Sequence, residues 1–431
     1  MKSIETFDCV VIGGGPAGCS AATILAGHGH RVLVLERERF PRYHVGESLI
    51  PFTYPSLDRL GLVPLMRQSG FVKKYSVQFV APSGRASQPF YFYERYDRET
   101  IAQTWQVLRS EFDQILMNRA RDAGADVREE HKVVELLREN GKYVGVVATD
   151  RDGERHEFRA PVTIDASGRD AVVATRNAWR RGDPKLNKVA VWTYYEGSQR
   201  DSGVDEGQTT VAFIPDKGWF WHIPQHNDRV SVGVVADGKY LTRDGLKDPK
   251  AIFEREIPSN KWIQDRLSTG RCTGEYWLTA EYTFRSEYCA DDGLVLVGDA
   301  YGFLDPVFSS GLMLALKSGV AGADAVHQAL KAGDCSAARF QDYAGMMHRS
   351  IENMRKLVYA FYDPKVSFRS VTDRFPEMNA ALTDCLSGDM EKDYSALHRA
   401  LSEWTDVPDD LPFGHPRPEP AGVAVAVDSK G

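Results

Sequence analysis

The chain has 431 residues, 42% hydrophobic and 26% charged, with a formal net charge of -7. That length is room for two or three domains with a sizeable core. The mildly acidic balance argues against nucleic acid and anionic membrane surfaces as partners. The longest apolar runs, near 8–12, 32–35 and 294–297, are too short to span a bilayer. MKSIETFDCVV enters the fold without a secretory pattern, so a cytoplasmic protein is expected. Six scattered cysteines form no C-x-x-C pair. They fit a reducing compartment without a metal or disulfide role, and Cys9 and Cys19 read as small buried residues.

Residues 8–36 organise the rest. Val10, Val11 and Ile12 end in Gly13-Gly14-Gly15-Pro16-Ala17-Gly18, a helix is expected from Ala17 to about Ala26, and Arg31–Leu35 reads as a second buried strand ending at Glu36. Gly13 permits the tight turn, Gly15 lets the backbone approach a pyrophosphate, and Gly18 lets the helix pack on the strand. The helix N-terminus favours a diphosphate. Glu36 can accept both ribose hydroxyls and would repel a 2′-phosphate. The unit binds a dinucleotide, and the fingerprint alone does not choose between FAD and NAD.

After Glu36, Pro41, Pro51 and Pro55 mark a loop, and Tyr54–Leu62 can turn helical. Residues 76–93 read as a hairpin split at Pro82-Ser83-Gly84. Residues 105–123 form an amphipathic helix, with Phe112, Ile115, Leu116 and Ala120 at helical spacing. Strands return over 126–165. From about 188 to 283 the pattern is antiparallel β, and a buried strand at 293–300 leads into helices from Gly311 to Ala329 and through 335–405. The fold expected is α/β: a Rossmann-like domain (1–75, 100–187 and 284–345) with an inserted β-sheet substrate domain (76–99 and 188–283). A C-terminal helical region (346–412) and a loose tail (413–431) follow.

Two more turns carry an acid at a strand end, Asp165-Ala166-Ser167-Gly168 and Gly298-Asp299-Ala300. With the glycine fingerprint, in this order, they resemble the FAD pattern of the two-domain aromatic hydroxylase fold. Arg109 matches an arginine of that pattern that helps hold the flavin.

Three stretches narrow the resemblance: FPRYHVGES at 40–48, Trp219-Phe220-Trp221-His222-Ile223-Pro224, and Phe303-Leu304-Asp305-Pro306-Val307-Phe308-Ser309-Ser310-Gly311. This set resembles the flavin-dependent halogenases over roughly residues 5–345, a family of secondary metabolism and antibiotic biosynthesis. The resemblance implies FAD held by Gly13, Gly15, Pro16, Ala17, Gly18, Glu36, Arg37, Ser48, Arg109, Asp165, Gly168, Asp299, Pro306, Gly311 and Leu312. It implies a halide site at Ser310 and Gly311, where backbone N–H groups cradle an anion. The same Ser-Ser-Gly could equally cap the following helix. Trp219 and Trp221, on one face of a strand by alternation, would bar the substrate from the flavin; aromatic sheet core is the plain alternative.

The family also implies a lysine between flavin and substrate. Its spacing fits Lys74, with Ser76 and Phe79; Lys73 is the neighbour, and both could be solvated lysines. The implied reaction uses FAD as FADH2, O2, and chloride or bromide to make hypohalous acid. The acid passes to Lys74, which either hydrogen-bonds it or becomes a haloamine, and an electron-rich aromatic is halogenated. A separate NAD(P)H-dependent flavin reductase would supply the FADH2. Tryptophan halogenases carry a glutamate where this chain has Phe308, which favours the phenol and pyrrole branch, including pyrroles on carrier proteins. Tyr359, Phe361, Tyr362 and Phe368 would cover the substrate cavity, or equally serve as packing. Alternatives are an aromatic hydroxylase, a geranylgeranyl-reductase-like oxidoreductase, and a non-catalytic flavin binder.

Overall fold

The computed structural model describes residues 4–183, 185–215, 218–280 and 283–418. A seven-stranded sheet runs in the order 415–416, 288–291, 294–296, 162–165, 9–12, 32–35, 126–128. Every neighbouring pair is parallel except 288–291 with 294–296. The runs CVVI and VLVL are buried along their whole length because helices cover this sheet. Helix Pro16–Gly27 packs against helices Arg109–Asp122 and Gly311–Ala332. Contact is closest where Gly18 meets the first turn: a Cβ there would sit 2.0 Å from the Gly13 carbonyl oxygen.

The second sheet has eight strands, in the order 271–272, 188–196, 229–237, 219–224, 209–213, 76–80, 90–91, with 277–280 also on 188–196. It is antiparallel except where Thr209–Phe213 pairs in parallel with Ser76–Val80. The expected hairpin is there, with Ser76 opposite Tyr91 and Val77 opposite Phe90.

Three expectations need correction. The stretch 188–283 is not all β, since helices Gly238–Leu241, Pro249–Glu256 and Lys261–Leu267 interrupt it. Asp248 and Asn260 cap the latter two, and Ile252, Phe253, Ile263 and Leu267 bury one helical face on the sheet. The helix expected from 105 begins at Arg109, because Thr104–Gln106 pairs as a strand with Val72–Lys74. The loose tail expected from 413 is ordered as far as 418. Gly414 N donates to Glu287 O at 2.9 Å, Arg417 N donates to Ala290 O at 2.8 Å, and His415–Pro416 extends the first sheet. Residues 419–431 of that expectation lie outside the described residues.

Helix Gln341–Tyr362 begins the C-terminal helical region. Buried Glu352 ties it down, accepting from Arg285 at 2.8 Å and from Arg355 at 2.6 Å. Among the described residues no helix is long and apolar enough to cross a membrane. Among them also, no group of three or more His, Cys, Asp and Glu could hold a metal ion.

Candidate active site

A cavity of about 580 Å³ lies between the two sheets. Gly13, Gly15, Pro16, Ala17, Glu36, Arg37, Ser48, Arg109, Gly168, Asp299, Pro306, Gly311 and Leu312 all line it. The first helix opens at Gly15 with no side-chain cap, leaving its N–H groups for an anion. Glu36 is held at the second strand's end, accepting from Gly14 N at 2.7 Å and Glu38 N at 2.8 Å.

Arg109 is fixed from two sides. It grips Asp113 through two bonds of 2.8 Å and donates to the carbonyls of Val45 and Gly46 at 2.8 and 3.2 Å. That pair holds Asp113 below the usual carboxylate range despite burial. Asp299 differs. It lines the cavity, accepts no hydrogen bond from a described residue, and is pushed by burial to about 6. An open carboxylate, an uncapped helix start and a held ribose-type acid fit the hydroxyls and diphosphate of a flavin dinucleotide.

Trp219 and Trp221 share one face of strand Trp219–Pro224 and both line the cavity. Trp221 Nε1 donates to Ser231 Oγ at 3.0 Å. Trp219 Nε1 donates to the Tyr362 hydroxyl at 2.9 Å, which in turn reaches both Asp305 oxygens at 3.3 and 3.2 Å. Burial raises Asp305 to about 7.

Lys74 does not line this cavity. It opens on a second, apolar one of about 30 Å³ walled by Phe79, Phe90, Phe92, Val307 and Phe308. Its side chain is fully buried. Nζ donates to Ser48 Oγ at 2.9 Å and to Leu49 O at 3.0 Å, and lies 5.6 Å from the Phe92 ring centroid. Among the described residues no salt bridge reaches it within 4.0 Å, and burial alone lowers its amine to about 7. Lys73, on the same strand, is exposed. Thr209, Val307 and Ser309 line both cavities, so the partition is a few side chains thick.

Three expected residues stand apart from the cavity. The Asp165 carboxylate turns into its own loop, accepting from Ser167 N and Oγ and from Val173 N. Gly18 serves helix–strand contact rather than the cavity wall. Ser310 is buried and reaches neither cavity. Its neighbour Ser309, left-handed at φ 55°, lines both. Sequence reading passed over Glu47, Thr209, Trp192 and Ser309. Glu47 and Ser309 lay inside quoted motifs, whereas Thr209 and Trp192 carry no local signal.

The Rossmann-type sheet, the aromatic-walled second sheet and the cavity between them define an FAD-dependent oxidoreductase of the aromatic hydroxylase architecture. The tryptophan halogenase family model matches residues 8–96 and 93–370. A 1H-pyrrole-2-carbonyl-[peptidyl-carrier protein] chlorinase of Pseudomonas fluorescens is 30% identical over 90% of each chain. A corresponding brominase of Pseudoalteromonas luteoviolacea is 31% identical over 78% of this chain and 80% of its own. Among solved structures, the flavin-dependent brominase Bmp2 superposes with a TM-score of 0.84 at 27% identity, covering 92% of this chain and 98% of its own. The chain belongs to the tryptophan halogenase family and is a flavin-dependent halogenase.

Proposed function

We propose that this enzyme halogenates a phenol or a pyrrole, the pyrrole carried on a carrier protein, with Lys74 as the catalytic amine. The observation that carries this reading is the buried Lys74 amine in an aromatic-walled pocket, one thin partition away from the flavin cavity. Walls of phenylalanine suit a flat, electron-rich ring once they part, since about 30 Å³ is too small to hold one. The carrier-bound pyrrole follows from the relatives named above and from Phe308 in the pocket wall.

FAD would sit on Gly15, Glu36, Arg109 and Asp299. Bound and reduced by a separate NAD(P)H-dependent reductase, it supplies electrons for O2 to oxidise chloride or bromide. The protein's own part is containment and delivery. Ser309 and Gly311, at the start of helix Gly311–Ala332, offer the halide a left-handed turn and a helix N-terminus. Trp219 and Trp221 bar the aromatic from the flavin, so ring oxygenation is excluded. The Lys74 amine, lowered by burial to about 7 and so partly unprotonated at neutral pH, receives the halogen from hypohalous acid and presents it to the ring.

The test is mass spectrometry of phenols and pyrroles, free and carrier-tethered. Enzyme, FAD, a flavin reductase with NADH, O2 and halide are supplied, with Lys74→Ala in parallel. A halogen isotope pattern that vanishes in Lys74→Ala is expected. Hydroxylated products would overturn the barrier role of the tryptophans.

A further inference from the structure

Two oxygens of different kinds hold the Lys74 amine. Leu49 O can only accept, so the N–H it receives at 3.0 Å goes no further. Ser48 Oγ, at 2.9 Å, accepts and also carries a proton of its own. Strand Thr104–Gln106 brings the two side chains together, since it pairs with Val72–Lys74 and, at Gln106, with Ser48.

The neighbours of Ser48 set where its proton points. Gln106 Nε2 lies 2.7 Å from Gly207 O, an acceptor, so this atom is the amide nitrogen. It therefore donates to Thr209 Oγ1 as well, at 2.8 Å. Thr209 has one proton to give, and the partner the structure offers it is Ser48 Oγ at 2.9 Å. Ser48 then accepts from both Thr209 and Lys74. Its own proton is left for the flavin cavity, which Ser48 lines. Ser48, Gln106 and Thr209 are all buried.

Halogen transfer to an amine has a proton to move. In Lys–NH2 + HOX → Lys–NHX + H2O, the N–X bond forms as X–O breaks, and the X–O electron pair leaves with oxygen. Nitrogen loses a proton and oxygen gains one. Displacement at a halogen runs in line, N to X to O. The departing oxygen therefore lies beyond the halogen, out of hydrogen-bond reach of the N–H whose proton it needs. A hydroxyl that touches the amine and faces the side from which the acid arrives closes that gap. Leu49 O has no proton to pass on, and Ser48 has one.

We propose that Ser48 is a further catalytic residue of halogen transfer: its Oγ takes a proton from the Lys74 amine while its own hydroxyl proton goes to the departing oxygen of hypohalous acid. Thr209 and Gln106 are positioning residues that give this exchange its direction. This rests on the reading above in which Lys74 takes up the halogen.

Single turnovers with FADH2, O2 and bromide, and no aromatic, test it. Halogen on Lys74 is read as oxidant that stays with the gel-filtered protein, converts iodide to triiodide and is absent in Lys74→Ala. Its rate of appearance is divided by the hypohalous acid trapped with a 1,3-diketone in parallel samples, so that changes in flavin binding or halide oxidation cancel. Ser48→Ala should lower this ratio about a hundredfold at every pH. Ser48→Thr, which keeps a hydroxyl, should recover most of it. A Ser48 that only tuned the amine would give the opposite sign, because losing an acceptor disfavours the ammonium and frees more amine at neutral pH. An unchanged or raised ratio in Ser48→Ala, or an equal loss in Ser48→Thr, overturns the role of the hydroxyl. Wild-type enzyme that yields trapped hypohalous acid but no oxidant on Lys74 overturns the amine as halogen acceptor. Wild type that yields neither overturns the halogenating reading, and the Ser48 proposal falls with either.

Discussion

Lys74 Nζ and Ser48 Oγ lie 2.9 Å apart, and Ser48 belongs to the wall of the flavin cavity while Lys74 belongs to the pocket beyond it. The amine is thus tethered to the partition by a neutral hydroxyl and a carbonyl, with no carboxylate among the described residues to hold its proton.

One consequence is a pH dependence of stability. The Lys74 amine falls from 10.5 to about 7 on burial. Between those values the unfolded chain binds a proton the folded chain has released, so stability rises with pH through that window. Below about 7 the full cost stands, on the order of a few kcal/mol. Lys74→Met should therefore melt higher than wild type at pH 6–7, and the gap should close toward pH 10, by calorimetry. A gap that does not change with pH would mean Lys74 is not buried as an amine.

Lys74→Arg should be as inactive as Lys74→Ala, because a guanidinium keeps its proton and cannot take up a halogen. Wild-type kcat should climb with pH through about 7 and then level, as the amine loses its proton. FAD binding, followed by flavin fluorescence, should be retained in both variants.

Asp299 lines the cavity and accepts no hydrogen bond from a described residue. Asp299→Ala should weaken FAD binding about tenfold, the worth of one lost hydrogen bond to a charged group. Asp165→Ala should instead lower the melting temperature, because Asp165 secures the 167–173 turn. Equal loss of FAD affinity in both would contradict the division drawn between these two acids.

Gly233 lies opposite Trp221, and a Cβ there would sit 2.2 Å from the indole. Gly233→Ala should tilt that ring, at a cost of about 1–3 kcal/mol. A denaturant midpoint measures the cost. Leakage of hydroxylated product, by mass spectrometry, reports whether the tryptophan still blocks the way.

Phe308 packs edge-on with Phe361 at 5.7 Å and tilted with Phe368 at 6.2 Å, beside the Lys74 pocket. Phe308→Glu should lose this packing, about 3–5 kcal/mol by analogy with Phe→Ala, and place a carboxylate near the amine. The rising limb of kcat against pH should then move up by about one unit or more.

The glycine fingerprint was legible because it is local: every residue of Gly13–Gly18 and Glu36 acts within one strand–turn–helix unit. Lys74 was legible only through resemblance. Its burial depends on Thr104–Gln106 pairing beside it, some thirty residues away in sequence, and the pattern there reads as helix. Asp165 misled because a strand ending in an acid and small residues has two uses, to meet a ligand or to cap its own turn. Asp165 has the second use, whereas Asp299 lines the cavity. Helices 249–256 and 261–267 were masked by strand-rich neighbours, although Asp248 and Asn260 were there as caps. Thr209 and Glu47 are ordinary residue types given meaning by the meeting of two sheets.

Under the proposed reaction Thr209, Val307 and Ser309, shared by the two cavities, would form the mesh that the oxidant crosses. A triatomic oxidant would need a smaller opening there than a benzene or pyrrole ring. The enzyme would then keep a promiscuous reagent and a vulnerable ring in separate rooms, and the site of halogenation would follow from how the ring is seated against Lys74. Enlarging the mesh, rather than altering the amine, would be the route by which regiochemical control is lost.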